Sequence, residues 1–349
     1  MENHQPLLSP ADHPARPAVS FGLPVRNGEE DVRGAMKALL AQDYAPIEVV
    51  VSDNASTDRT WGILKEFEMD PRVSLHQSEH DMGAVANFNN VFHLTKGPYF
   101  AWAAADDRFD PSFARRCADA LEQNPDAAGC LTGIRFVDES GETIRIWVPS
   151  AEAASTDVRT RLRWYLALSR WTEVYALFRR PILGTSGLFP ATFGPDVLLV
   201  WQVLLDHPMS IVEDPLLIYK EKTTNTIEKQ NASLVPRAKV QQAHFCNIGL
   251  LPSMWRIAGE REARVRRVAR QELWFCLRHR TWRRRAMEDL NVELKRYQSA
   301  SREEVKSARV WLAKSRVVGI YLLMAAIEPR VFVRAAARHS FHRRGLRIP

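Results

Sequence analysis

Apolar positions in the first third of the chain come as short continuous runs, each closed by a polar turn and followed by residues at helical spacing. The first run is Val19-Ser20-Phe21-Gly22-Leu23-Pro24, with the turn Val25-Arg26-Asn27-Gly28 and a helical pattern from Glu29 to Ala41 behind it. Ile47-Glu48-Val49-Val50-Val51 is a second strand. Thr57 to Phe67 then forms a helix, with Ser56 or Thr57 as N-cap and Asp58 in its acidic first turn. Val73-Ser74-Leu75-His76 is a third strand, Gly83 opens a small-residue helix running to Phe92, and Pro98 to Ala105 gives a fourth apolar run. Strands alternating with helices in this way predict parallel βαβ units and a doubly wound α/β sheet.

Beyond Pro111 the pattern predicts a helix over 112–124. A hairpin follows, made of Ala128 to Phe136 and Ile144 to Val148 around the turn Asp138-Glu139-Ser140-Gly141. Gly194-Pro195-Asp196 leads an apolar helix from Val197 to Leu205, and Met209 to Glu213 with Leu216 to Tyr219 read as two closing strands. From about Gln230 onward only helical periodicity remains. The organisation expected is a flexible lead over 1–17, an α/β domain over 18–229 and a basic helical region over 230–349.

A length of 349 residues fits one large domain with an appendage, or two domains. The net charge of +7 conceals an asymmetry: 24 Lys and Arg oppose 32 Asp and Glu through residue 255, and 24 oppose 9 beyond it, giving −8 and then +15. Cys117, Cys130, Cys246 and Cys276 lie far apart without paired ligand spacing, which suits reduced thiols in a cytosolic protein. The Pro-rich start lacks a continuous apolar core and does not read as a signal peptide. The apolar run Val317 to Ile327 is shorter than the ~18–20 residues that cross a bilayer. Flanked by Lys314, Arg316, Arg330 and Arg334, it suits an in-plane anchor on the inner face of an anionic membrane, or a helix buried against the α/β domain or a second subunit.

Two acidic turns carry the candidate chemistry. Ser52-Asp53-Asn54-Ala55-Ser56-Thr57-Asp58 closes the second strand, and Asp106-Asp107 closes the fourth apolar run. In open α/β sheets, ligands gather at the carboxyl ends of strands, so both turns can face one ligand. Two adjacent carboxylates offer hard oxygen donors of the kind Mg²⁺ takes, one or two at a time, beside substrate phosphates. Taken alone, Asp53 and Asp58 read as turn and cap residues, and Asn87, Asn89 and Asn90 as the polar surface of a helix.

Four pieces in this order resemble the inverting family 2 glycosyltransferases, which have the GT-A fold. They are Ser20 to Glu29, Val51 to Asp58, Gly83 to Asn90, and Trp102 to Asp107 with Phe109-Asp110-Pro111. The resemblance covers roughly residues 18–220. It implies a Rossmann-like doubly wound mixed sheet with an α-helical C-terminal extension, and transfer of a sugar from a nucleotide-diphosphate donor, a UDP-sugar in many relatives. On it, Pro24 and Asn27 border the base and ribose, and Asp53 accepts a hydrogen bond from the base. Asn87 and Asn90 lie near the ribose or diphosphate. Asp106 and Asp107 correspond to the DXD-like site for Mg²⁺ or Mn²⁺, with Asp107 the direct ligand and Asp106 nearer the ribose. Many relatives are acidic or polar where this chain has Ala105, which leaves fewer protein oxygens for the metal.

Glycosyl transfer also needs a base for the acceptor hydroxyl, typically worth ~10²–10⁴-fold. Asp196 is the candidate, because a helix start favours an ionised carboxylate; it follows Pro195 where the family often has a Glu-Asp pair, and Asp214 is the reserve. The implied acceptor is a saccharide or lipid-linked hydroxyl in cell-envelope or surface polysaccharide synthesis. The competing class is a non-catalytic protein that binds nucleic acid or anionic lipid through the basic C-terminal helices, with Arg264, Arg266, Arg267 and Arg270 among the cations. It predicts polyanion affinity that falls steeply with salt and survives loss of the aspartates.

Overall fold

The computed structural model describes residues 18–168, 172–192, 194–221 and 250–278. The chain divides into two compact units, Met1–Ala243 with Gly249–Leu273, and His244–Ile248 with Trp274–Pro349. Of the second, only the helical residues 274–278 are described. The run Val317 to Ile327 and most of the basic stretch lie outside the described residues.

The first unit is built on one sheet with nine described strands. β1 (Val19–Val25), β2 (Ile47–Asp53), β3 (Val73–Gln77) and β4 (Tyr99–Trp102) are parallel, in the order β3-β2-β1-β4. They are joined by α1 (Val32–Leu40), α2 (Thr60–Lys65) and α3 (Ala84–Leu94). All seven residues of β1 are buried, as a strand covered on both faces must be. On one face Phe21 packs with Phe109 and Phe113, at centroid distances of 5.7 and 6.2 Å. On the other, Gly22 admits α3, since a Cβ there would meet Phe100 at 2.8 Å and Val91 at 3.0 Å. The sheet continues through β5 (Arg108–Phe109), α4 (Phe113–Gln123) and the hairpin β6 (Gly129–Val137) with β7 (Thr143–Trp147). Then come α5 (Val158–Ala167), β8 (Leu177–Arg179), α6 (Arg180–Ser186), α7 (Pro195–Asp206) and β9 (Ser210–Lys220).

β8 runs antiparallel to β4 and β6, and β5 antiparallel to β9, so the sheet is mixed beyond its parallel half. Three boundaries differ from the pattern. α1 starts at Val32, because the N–H groups of Asp31 and Val32 both turn back to the Gly28 carbonyl. α2 starts at Thr60, because Ser56 and Thr57 bond to Asn27 of the neighbouring loop, and Asp58 Oδ1 accepts the Thr60 N–H at 3.0 Å. The two closing strands are one strand, β9, bulged on both sides of Pro215, which pairs with Gly133, where a Cβ would meet the Glu213 carbonyl at 2.5 Å.

Two further helices, α8 (Leu250–Gly259) and α9 (Ala263–Arg278), follow. Up to Leu273 they belong to the first unit: Trp201 Nε1 donates to the Met254 carbonyl at 3.4 Å, and the buried Glu272 takes Arg159 at 3.0 Å and Arg163 at 2.5 Å. No helix of the described residues is long and apolar enough to cross a membrane.

Arg161 fixes α7 at its far end. Its guanidinium is buried and donates to the carbonyls of Leu204 (2.6 Å), Leu205 (3.0 Å) and Thr156 (3.0 Å), the first two being orphan groups of a helix C-terminus. Burial lowers its pKa from the ordinary value, against the pull of Asp206 and Asp157. Arg161→Met leaves those carbonyls buried and unsatisfied, and is expected to cost about 1–3 kcal/mol, read as a lower urea midpoint.

Candidate functional site

The carboxyl ends of β1, β2 and β4 lie side by side, and the loops leaving β1 and β2 are stitched together. Asn27 adopts φ +52°, its N–H donates to Ser56 Oγ at 2.9 Å, and its Oδ1 accepts the Thr57 N–H at 2.9 Å. Gly28 N–H donates to Thr60 Oγ1 at 2.8 Å and Glu29 N–H to Asp58 Oδ2 at 3.2 Å. Burial opposes the Asp58 charge, but the hydroxyl and N–H of Thr60 and the N–H of Glu29 outweigh it and hold that carboxyl below the ordinary range. Asp58 therefore belongs to the loop scaffold.

Asp53, the last residue of β2, is fully buried and accepts from the Ser56 hydroxyl and from Gln77 Nε2, the latter at 2.9 Å. Pro24 sits in β1 opposite Ser52. Ser52 in turn meets α3: its hydroxyl donates to Asn87 Oδ1 at 2.6 Å and accepts from Asn90 Nδ2 at 3.0 Å, while Asn87 Nδ2 donates to the Ser52 carbonyl at 3.0 Å. The amides of Asn87 and Asn90 thus tie α3 to the end of β2. A third loop joins through residues that the sequence pattern did not mark. Asn54 Nδ2 donates to Asp81 Oδ1 at 2.7 Å, and Arg26 pairs with Asp81 at 3.0 Å.

After β4 the chain turns, and Asp107 is 3% exposed. Its Oδ1 accepts the backbone N–H of Lys220 at 3.0 Å, so the end of β9 holds the carboxylate in place. The Arg108 guanidinium donates to the carbonyls of Asp107 (2.7 Å), Asp31 (3.0 Å) and Ala105 (3.1 Å), fixing the backbone of the turn. Lys220 Nζ pairs instead with Asp31 at 3.0 Å. Among the described residues no group of three or more His, Cys, Asp or Glu is placed to enclose a metal. Asp106 and Asp107 supply adjacent hard oxygens, the donor set for a cation that shares its coordination with phosphates and water.

Asp196 lies in the first turn of α7, behind Gly194 at φ +58°. Burial raises its carboxyl pKa, against the N–H groups of Val197 and Asp196 itself. It belongs to the same neighbourhood as the acidic pair. Burial pushes the Tyr219 phenol up, and Asp107, Asp106 and Asp196 push it further; Tyr175 is raised by burial and then by a set that includes the same three. The two rings lie 6.5 Å apart, so the acidic pair on one loop and Asp196 at the start of α7 act on the same pair of phenols. Tyr175, Tyr219 and the buried Glu173, which acts with Asp196 on Tyr165, were not marked by the sequence pattern. Asp214 pairs with Arg116 of α4 at 2.5 Å and is not among the carboxylates acting on either phenol.

Residues 20–186 match the family described as Glycosyl transferase family 2. Escherichia coli YibD, described as an uncharacterized glycosyltransferase, is 31% identical over 173 residues, covering 47% of this chain and 49% of YibD. E. coli WfaP, described as a UDP-Glc:alpha-D-GlcNAc-diphosphoundecaprenol beta-1,3-glucosyltransferase, is 29% identical over 89 residues, covering 26% of this chain and 35% of WfaP. The alignments span about half the length of the curated relatives, or less. The crystal structure of S. aureus TarS 1-349 in complex with UDP-GlcNAc superposes with a TM-score of 0.51 at 16% identity, covering 79% of this chain and 92% of that chain, a likeness of fold.

Proposed function

We propose that this chain, whose residues 20–186 form a family 2 glycosyltransferase domain of the GT-A fold, moves a sugar from a nucleotide-diphosphate donor to an acceptor hydroxyl with inversion at the anomeric carbon. The observation that carries the reading is the acidic turn after β4, where the buried Asp107 is held by the Lys220 N–H at 3.0 Å, together with the buried Asp53 that ends β2. In this reading Asp53 accepts from the base, Pro24 and Asn27 border the base and ribose, and Asn87 and Asn90 set the ribose and diphosphate side by holding the end of β2. Asp106 and Asp107 would hold Mg²⁺ or Mn²⁺, which would serve as Lewis acid for the charge that develops on the departing diphosphate. A UDP-sugar is the favoured donor, in keeping with the UDP-GlcNAc bound by the TarS structure.

Asp196 takes the proton of the acceptor hydroxyl as that oxygen attacks, so an α-linked donor gives a β-linked product. The raised pKa makes it a stronger base than an ordinary carboxylate. Transfer is therefore expected to fall as pH drops through that raised value, placing the acid limb of kcat/KM, which reports the free enzyme, above the ordinary carboxylate value of 3.8. A pH-rate profile reads it directly, and an acid limb at or below the ordinary value contradicts the assignment. The acceptor class proposed is a saccharide or lipid-linked hydroxyl of envelope polysaccharide synthesis, in keeping with the printed activity of WfaP. The experiment is a panel of UDP- and GDP-sugars, with release of the nucleoside diphosphate followed with and without Mn²⁺. Release from none of them removes the reading.

A further inference from the structure

α3 has a second side that the donor-site reading does not use. Asn87 and Asn90, three apart on the helix, reach Ser52 at the end of β2. Asn89, between them in sequence, reaches the polypeptide that leads into α7. Its Nδ2 donates to the Phe189 carbonyl at 2.9 Å and its Oδ1 accepts the Phe189 N–H at 3.0 Å. Both polar groups of one amide are thus spent on both backbone groups of a single residue a hundred positions away.

The backbone that Asn89 grips is unusual. Gly187 has φ +90° and Leu188 has φ +52°, and a bulky residue in the left-handed region persists only where its surroundings over-determine it. Phe189 is buried, its ring centroid 5.0 Å from that of Phe88 and 4.8 Å, edge-on, from that of Trp102. Trp102 ends β4, the strand that delivers Asp106 and Asp107, and its Nε1 donates to the Phe88 carbonyl at 3.0 Å. One helix therefore touches the nucleotide-side loops through Asn87 and Asn90, the acidic-pair strand through Phe88, and the approach to Asp196 through Asn89.

We propose that Asn89 is a positioning residue for the general base: by clamping the backbone of Phe189 it sets the approach to α7 so that Asp196 is held in register with the donor side of the site. The inference rests on the reading of Asp196 as base. Asn89 touches no reacting atom; it acts through the 187–192 segment. Loss of the clamp should leave donor binding intact, because Asn87, Asn90 and the loops around Asp53 do not depend on it. It should lower turnover, because displacing a catalytic group by about 1 Å can cost roughly 10²-fold.

The test uses the full chain carrying Asn89→Ala, Asn89→Asp or Asp196→Asn, with whichever sugar of the UDP- and GDP-sugar panel the wild type turns over fastest. Three quantities are read: kcat and KM for nucleotide release, the rise in Tm with UDP, and amide exchange over 187–192. Asn89→Ala is expected to lower kcat about 10- to 100-fold with KM and the UDP shift within about twofold, and to speed exchange at 187–192 but not over β1. Asn89→Asp, which keeps an acceptor for the Phe189 N–H and loses the donor, should recover part of kcat. If Asn89→Ala does not fold, Asn89→Asp and Asn89→Ser carry the same comparison. A kcat within about twofold of wild type, despite faster exchange, overturns the proposal. So does a fall in kcat that merely tracks lost Tm and lost UDP affinity. If Asp196→Asn is also fully active the base reading itself fails, whereas an inactive Asp196→Asn beside fully active Asn89 variants removes only the clamp. A wild type that releases nucleotide from no member of the panel removes both.

Discussion

Asp196→Asn is expected to lose transfer by roughly 10²–10⁴-fold, the usual worth of a positioned general base, while its Tm at neutral pH holds or rises. The two halves have one cause. Burial raises the Asp196 pKa, so the folded protein holds this proton more tightly than the unfolded chain does. In the window above the ordinary value of 3.8 the native state binds more protons than the unfolded state, and stability from this group is gained as pH falls and lost as pH rises. At neutral pH the ionised carboxylate is thus a cost to folding, and a neutral isostere relieves it. Thermal melts and initial rates on the same preparation read both quantities. Undiminished transfer would mean that another group takes the proton, and a lowered Tm would mean that Asp196 is structural.

Asp107→Asn is expected to abolish the part of UDP binding that needs Mn²⁺ and to remove several kcal/mol of stabilisation from the departing diphosphate. The fold should survive, since the amide oxygen of Asn can still accept the Lys220 N–H that Asp107 Oδ1 accepts at 3.0 Å. A ligand that binds only the folded state at ~100 times its Kd stabilises it by about 2.7 kcal/mol, which a melt resolves easily. Wild type should therefore melt higher with UDP and Mn²⁺ together than with UDP alone, and the variant should melt alike in both. Identical responses of wild type and variant would remove Asp107 from the metal site.

The parallel half of the fold was legible because β1, β2 and β4 are buried on both faces and read as continuous apolar runs bounded by turns. The helix starts were less so. Ser56 and Thr57 read as N-caps, yet both bond to Asn27 of the neighbouring loop, a choice made by tertiary contact rather than by local sequence; Asp58 stays with the helix start through the Thr60 N–H while its other oxygen accepts the Glu29 N–H. Met209 to Glu213 and Leu216 to Tyr219 read as two strands, but irregular pairing around Pro215, opposite Gly133, joins them into one.

At the site, Asp53, Asp106, Asp107 and Asp196 could be singled out because each follows a strand or opens a helix. Tyr175 and Tyr219 could not, since neither lies in a turn or motif; the antiparallel pairing of β8 and the long pairing of β9 with β6 carry them to the acidic rim. Asn54 and Asp81 join loops that lie far apart in sequence, and no spacing rule reaches across that gap. Asn89 shows the same limit. Its partner is a backbone a hundred residues away, and its neighbours Asn87 and Asn90 face another way.

The nucleotide sugar is expected to span the rim, its base on Asp53 and its diphosphate at the Asp106-Asp107 pair. A crystal grown with UDP-GlcNAc and Mn²⁺ and measured at the manganese absorption edge tests it most directly. The account predicts an anomalous peak at the carboxylates of Asp107 and Asp106, shared with diphosphate oxygens, and the uracil edge at Asp53. Well-ordered nucleotide elsewhere on the protein, or an ordered Asp106-Asp107 rim without manganese, would contradict it.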